Sequence, residues 1–363
     1  MRNNIFKTLV LCAVASVMSL ASYGQTDNRV KTVAGFPAGE AGYGLGVSAC
    51  YAGMIGDRLI VAGGCNFPEA GKKKYYAGIY AAKASADSLD WQLVGHLPEP
   101  AAYGGVVSMG DSLIFIGGNN GEHSLSSVLS VRLAGDKAVT RQLRSLPYTV
   151  DNMAVAKDGD DVYVFGGNQD GFASASLLCW NAKDDRGWRY LSRIPDAQRV
   201  QPVCVADNGR LYVWGGFFAD GQHSNVATCG YCCDVVSGTW TQLPAPTDAD
   251  GNPLTLTGGV AMLDGHRVVC LGGVNKDIFW DAISGNYKFV NREDYLKKDI
   301  SWYRFNGNML CYDIVKGEWE KTTFHDSRLA RAGAQMVKWG DTYYYIGGEL
   351  KPSVRTPEIL LVR

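Results

Sequence analysis

One pattern recurs along the chain and limits its fold more than any other feature: a hydrophobic run that ends in Gly-Gly. Its six copies are Leu59 to Gly64, Leu113 to Gly118, Val162 to Gly167, Leu211 to Gly216, Val268 to Gly273 and Tyr343 to Gly348. From first glycine to first glycine the steps are 54, 49, 49, 57 and 75 residues. Each run follows a turn such as Gly56-Asp57 or Gly110-Asp111, so it reads as a short buried strand leaving a tight hairpin. A unit of about fifty residues repeated six times cannot bury its apolar face alone and must stack on its neighbours.

Two further markers share the period. An aromatic residue precedes a tryptophan at Tyr80 and Trp91, Trp180 and Trp188, Tyr231 and Trp240, and Tyr312 and Trp319. A hydrophobic-Pro exit follows at Leu97-Pro98, Leu146-Pro147, Ile194-Pro195 and Leu243-Pro244. These signs resemble the kelch motif, whose units are four-stranded antiparallel blades around a central axis. The second repeat lacks the tryptophan and the fifth the proline exit. The expected fold is all-β: a six-bladed kelch-type β-propeller over residues 25–363. Glycine makes up 44 of 363 residues without a Gly-X-Y period, which fits many tight turns and excludes collagen.

The 16 residues after Gly347 and the 39 from Gln25 through Gly63 together make one repeat. Val30-Lys31-Thr32-Val33 leading to Phe36-Pro37 imitates an outer strand and its exit, so an N-terminal strand is expected to complete the last blade and remove the open edges. The long step after Gly272 carries an insertion in the fifth repeat, with a helix expected over Asn291 to Lys298. Its aromatics suit either a lid over a blade end or a decorative loop.

Residues 1–24, with Arg2 and Lys7 before the apolar run Thr8 to Ala21, have the pattern of a signal peptide, and the mature chain is expected to be exported. Cys12 lies within that run, preceded by Leu11 rather than a small residue, which argues against a lipid anchor. The other nine cysteines lie mostly in apolar runs and read as core packing; whether any of them pair is not legible. Cys229-Gly-Tyr-Cys232-Cys233 has no second ligand pair at a zinc spacing, so no metal is expected. With 35 Lys+Arg against 36 Asp+Glu, nucleic acid is an unsuitable partner.

A propeller gathers equivalent loops on one face, which puts the residues after each Gly-Gly in a ring: Cys65-Asn66, Asn119-Asn120, Asn168-Gln169, Phe217-Phe218, Val274-Asn275 and Glu349-Leu350. Asn66, Asn119, Asn168 and Asn275 are candidate sugar contacts, the alternative for each being a turn-forming asparagine. Phe217 and Phe218 could stack on a sugar face, and Glu349 is the one carboxylate of the set.

Gly348-Glu349-Leu350-Lys351-Pro352-Ser353-Val354-Arg355 resembles the Gly-Glu-x-Lys-Pro-x-x-Arg signature of the bacterial N-acetylneuraminate epimerases, or sialic acid mutarotases. Gly272-Gly273-Val274-Asn275 with Ile278-Phe279 resembles that family's insertion-bearing blade, and the blade order resembles a cyclically permuted member. The resemblance implies that Glu349 is the catalytic acid/base, Arg355 the essential arginine and Lys351 a signature residue near the substrate. It further implies a sialic acid as substrate, interconversion of its α and β anomers, no cofactor, and a periplasmic location.

Opening and reclosing the sugar ring needs a proton to leave one oxygen and reach another, which a carboxylate and a second acid or relayed water can do. Arg355 could clamp the sugar carboxylate. Without the resemblance, Glu349 reads as a surface carboxylate paired with Lys351. The alternative function is a non-catalytic kelch propeller binding glycans or proteins. A sialidase would show several Asp boxes, and a copper oxidase clustered His and Tyr ligands, whereas the five histidines are scattered.

Overall fold

Two-residue turns set the register of every unit. In the computed structural model, which describes residues 29–184, 186–322 and 324–363, Gly56 adopts φ 60° and places Ile55 opposite Arg58. The leader expected over residues 1–24 lies outside the described residues. The strand Arg58–Ala62, the first hydrophobic run, is thereby flanked by Tyr51–Ile55 and Gly78–Lys83, with Gln92–His96 outermost, all antiparallel. Six sheets among the described residues follow this four-strand path, one of them with an additional strand, Ser224–Val226. In the sixth, the outermost strand is Val30–Ala34, which pairs with Ile359–Val362 so that Val30 faces Val362.

The first strand of each sheet lies beside the first strand of the next, and that of the sixth, Gln335–Trp339, beside Tyr51–Ile55. The apolar core is divided the same way. Ala52, Leu59 and Val61 of the first sheet pack with Val337, Tyr344 and Ile346 of the sixth, and five further clusters span the other neighbouring pairs. The repeated tryptophans join these layers from outside. Trp91 Nε1 donates to Gly35 O (3.0 Å), Trp188 Nε1 to Arg144 O (3.2 Å) and Trp319 Nε1 to Pro244 O (3.0 Å), each on the preceding sheet's outer margin.

The Gly-Gly pairs have a geometric cause. A Cβ on Gly63 would fall 2.2 Å from Ala101 O of the next sheet's entry loop, and one on Gly347 would fall 2.4 Å from Val47 O. Both glycines have positive φ, of 60° and 56°. The second glycine of each pair then donates across the same gap, Gly64 N to Ala101 O at 2.8 Å and Gly348 N to Val47 O at 2.9 Å. Only glycine combines the left-handed backbone with so close an approach.

A second cycle lies on the axis. Tyr103 N donates to Ala49 O (2.9 Å), Asn152 to Tyr103 (2.8 Å), Gln201 to Asn152 (2.7 Å), Gly258 to Gln201 (3.0 Å), Gly333 to Gly258 (2.7 Å) and Ala49 to Gly333 (2.7 Å), which closes the ring. All six residues are left-handed, with φ between 53° (Asn152) and 71° (Gly258). Beside this collar is a central cavity of about 590 Å³ lined by the first strands, with Met54, Val106, Val155, Met262 and Met336 on its walls.

The insertion contains two α-helices, α1 (Lys276–Ile283) and α2 (Arg292–Tyr295), and a 3-10 turn over Ile300–Tyr303. The helix expected over Asn291 to Lys298 is thus shorter, and α1 is additional. Its sequence signal is Asn275, whose side chain accepts from the backbone N–H groups of Asp277 and Ile278 and so caps the first turn. The nine described cysteines are free, and seven of them are buried.

Candidate active site

The sixth Gly-Gly delivers the chain into a short hairpin in which Glu349 lies opposite Arg355, with Ser353 left-handed (φ 68°) at its turn. Glu349 N and O exchange hydrogen bonds with Ala332 at 2.7 and 2.9 Å, and Ala332 adjoins Gly333 of the axial collar. The carboxyl is therefore carried to the collar by backbone, independently of its own side-chain contacts.

Arg355 Nη1 meets Glu349 Oε2 in an ion pair, the arginine side chain being 4% exposed and the glutamate 24%. The guanidinium lies 5.3 Å above the ring of Phe67. Arg355 Nε is buried and has no acceptor among the described residues. Phe67 belongs to the two-stranded hairpin Cys65–Glu69/Lys72–Tyr75, which lies between the second and third strands of the first sheet in sequence. From that hairpin Lys73 Nζ donates to Tyr103 Oη at 2.9 Å, above the Tyr103 ring, and Cys65 Sγ approaches the same oxygen at 3.3 Å.

The insertion supplies the remaining wall. Tyr303 donates its hydroxyl to Tyr295 O, and both phenols are made less acidic, first by burial, with the nearby Glu349 charge contributing. Lys351 Nζ donates to Lys298 O (2.6 Å) and Leu296 O (3.2 Å), which fastens the insertion to the Glu349 hairpin. The ammonium expected near the substrate is thus engaged by two carbonyls.

Burial raises the pKa of Glu349 above the ordinary glutamate value, and prevails over the Arg355 and Lys73 cations, which lower it. A carboxyl so placed holds or releases a proton nearer neutrality than a free one. With Lys73 and Arg355 against one Glu349, the groups around it carry an excess positive charge, which suits an anionic ligand.

The residues after the Gly-Gly pairs do not all turn toward a ligand. Asn66 is 2% exposed; its Nδ2 donates to Gly42 O (2.8 Å) and Gly46 O (2.9 Å) and its Oδ1 accepts from Tyr76 (2.8 Å). Asn119 Nδ2 and Asn168 Nδ2 both donate to the buried Asp151 carboxylate, at 3.1 and 2.8 Å. Asn275 is the α1 cap, and Phe217 meets Phe279 edge to face at 5.0 Å. The four amides expected as sugar contacts thus bond within the protein: Asn66 satisfies backbone carbonyls of a neighbouring loop, Asn275 backbone N–H groups of α1, and Asn119 and Asn168 hold the Asp151 carboxylate. Asn66→Ala is expected to cost about 2 kcal/mol of stability by removing the buried partners of Gly46 O and of the Tyr76 hydroxyl, with the KM for substrate unchanged; denaturant titration and kinetics on one preparation check this.

Sequence reasoning missed Lys73, Tyr103, Phe67, Tyr295 and Tyr303. Tyr103 could have been found by aligning the residues before each first strand, where the collar forms, rather than those after each Gly-Gly.

The model of the family described as N-acetylneuraminate epimerase matches residues 14–140 and 143–363. A protein of Pasteurella multocida named N-acetylneuraminate epimerase is 26% identical over 226 residues, which cover 60% of this chain and 57% of that protein. One of the same name from Haemophilus influenzae is 29% identical over 228 residues, covering 59% of this chain and 57% of its own. The chain thus matches 57% of the length of these two relatives. The solved structure of YjhT superposes with a TM-score of 0.64 at 13% identity, covering 91% of this chain and 97% of that one, a likeness of fold.

Proposed function

Because the chain belongs to the N-acetylneuraminate epimerase family, we propose that it is a mutarotase that interconverts the α and β anomers of N-acetylneuraminic acid on a six-bladed kelch-type β-propeller. The observation that carries this reading is the Glu349–Arg355 pair: a half-buried carboxyl of raised pKa, held on the axial collar beside a buried guanidinium. Six sheets whose first strands meet in a cycle support the propeller.

Glu349 takes the proton of the anomeric hydroxyl, the bond from the anomeric carbon to the ring oxygen breaks, and the open-chain ketone recloses on its other face. Arg355 binds the sugar carboxylate, for which its buried Nε is a ready donor. This fixes the anomeric carbon beside the base. Proton transfers alone balance the reaction, so no cofactor enters it. The protein acts in the periplasm after export, a location supported by the leader pattern in residues 1–24.

The test follows freshly released α-N-acetylneuraminate by proton NMR with and without protein. An approach to the β form faster than the spontaneous one supports the reading, and an unchanged rate with folded protein removes it. The pH profile is a second check. Base catalysis needs the carboxylate, so activity falls as pH drops through the Glu349 pKa; burial has raised that value, and the acid limb should lie above the ordinary glutamate range.

A further inference from the structure

Mutarotation by Glu349 leaves one proton without a carrier, because the ring oxygen must be protonated as its bond to the anomeric carbon breaks. We propose that Tyr103 is the second catalytic acid/base and that Lys73 is the positioning residue that holds its hydroxyl and stabilises its phenolate. The inference rests on the mutarotase reading of the site.

Tyr103 occupies a collar position, left-handed at φ 61°, where two of the six units use glycine and one asparagine. An aromatic residue adopts this backbone at a cost, and such outliers persist where the surrounding structure holds them. Its Oη accepts from Lys73 Nζ at 2.9 Å and from Cys65 Sγ at 3.3 Å, so both lone pairs are engaged. Its own O–H proton has no acceptor among the described residues, which leaves it for a ligand. Lys73 also acts on Glu349, lowering its pKa, so the one ammonium influences both proton carriers.

The other nearby hydroxyls are less suited. Tyr303 has spent its proton on Tyr295 O. Burial makes both Tyr295 and Tyr103 less acidic, and Cys65 adds to this at Tyr103; but the charges around Tyr295, from Tyr303, Tyr287, Glu349 and Asp281, all oppose a phenolate, whereas Tyr103 has the Lys73 cation at hydrogen-bond distance to offset part of that cost.

Glu349 takes the proton from the anomeric hydroxyl, and that O–H electron pair becomes the second bond of the carbonyl. The pair of the breaking bond goes to the ring oxygen, which takes the Tyr103 proton, leaving a phenolate beside the Lys73 ammonium. After rotation about the bond from the carbonyl carbon to the next ring carbon, Tyr103 takes the proton back. The freed oxygen attacks the other carbonyl face, and Glu349 returns its proton to the new anomeric hydroxyl.

The experiment measures anomer exchange by NMR for the full chain and for Tyr103→Phe, Lys73→Met and Lys73→Arg, with thermal midpoints to confirm folding. Tyr103→Phe keeps the ring and the backbone conformation and is expected to lower kcat about 100-fold with KM near the wild-type value. Lys73→Met should lower kcat and move the acid limb of the pH profile upward, since a cation that holds Glu349 down is gone; Lys73→Arg should recover much of both. Wild-type kcat in Tyr103→Phe overturns the proposal, and a rise in KM alone in Lys73→Met overturns the role given to Lys73. If the wild type itself does not accelerate exchange, the mutarotase reading falls and this inference with it. An accelerating wild type beside a fully active Tyr103→Phe removes the inference alone.

Discussion

Glu349→Gln should lower the protein-dependent rate of anomer exchange by 100-fold or more, the range in which removal of a positioned acid/base falls. The amide keeps the shape of the side chain but neither takes nor returns a proton. Stability should change little. The carboxyl pKa is raised in the fold, so the native state holds the proton more tightly than the unfolded chain. This group therefore lowers stability as pH rises from the ordinary glutamate value through the raised one. At neutral pH glutamine removes that penalty, while Arg355 loses its counter-ion, and the two effects oppose each other. NMR exchange rates together with thermal midpoints check both parts. A variant that is folded and as fast as wild type would remove Glu349 from the chemistry.

Gly63→Ala should destabilise the protein by about 3 kcal/mol or more, whereas Gly56→Ala should cost about 1 kcal/mol. The two glycines share a φ of 60°, so the backbone penalty of a Cβ is common to both. At Gly56 the new atom meets nothing within 4 Å; at Gly63 it would fall 2.2 Å from Ala101 O, a backbone atom of the next sheet that a rotamer change cannot move. The difference between the variants therefore measures the contact between neighbouring sheets rather than the turn. Urea unfolding midpoints compared at equal slope are the measurement, and equal losses in the two variants would show that the close approach contributes nothing.

The repeat was legible because its cause is local. The turn before each run and the steric demand after it select Gly at fixed places, and six copies leave a period that needs no long-range knowledge. The N-terminal strand was legible by length, and Val30 does pair with Val362. Glu349 and Arg355 were legible through a short signature that one hairpin brings face to face. The partners of that pair were not, since Lys73, Tyr103 and Tyr295 come from three segments whose meeting depends on how sheets are arranged around the axis. The bonding of the amides was hidden for a different reason. An asparagine after Gly-Gly is chemically able to read a hydroxyl, but Asp151 and the Gly42 and Gly46 carbonyls claim it first. Helix α1 escaped because its single cap, Asn275, was read as a ligand contact instead.

The pairing of Val30–Ala34 with Ile359–Val362 sets an order of events as well as a shape. Five sheets are each contiguous in the chain and can form as their residues become available, but the sixth joins three contiguous strands, Gln335–Trp339, Thr342–Ile346 and Ile359–Val362, to a fourth some three hundred residues earlier. Closing so long a loop costs little more at equilibrium than closing half of it, about 0.6 kcal/mol per doubling. It is slow in time, because distant segments must find each other after local ones have settled. Until that step the sixth sheet has three strands and Ile359–Val362 is its open edge, and trimming the chain through Val30–Ala34 would leave that edge unpaired.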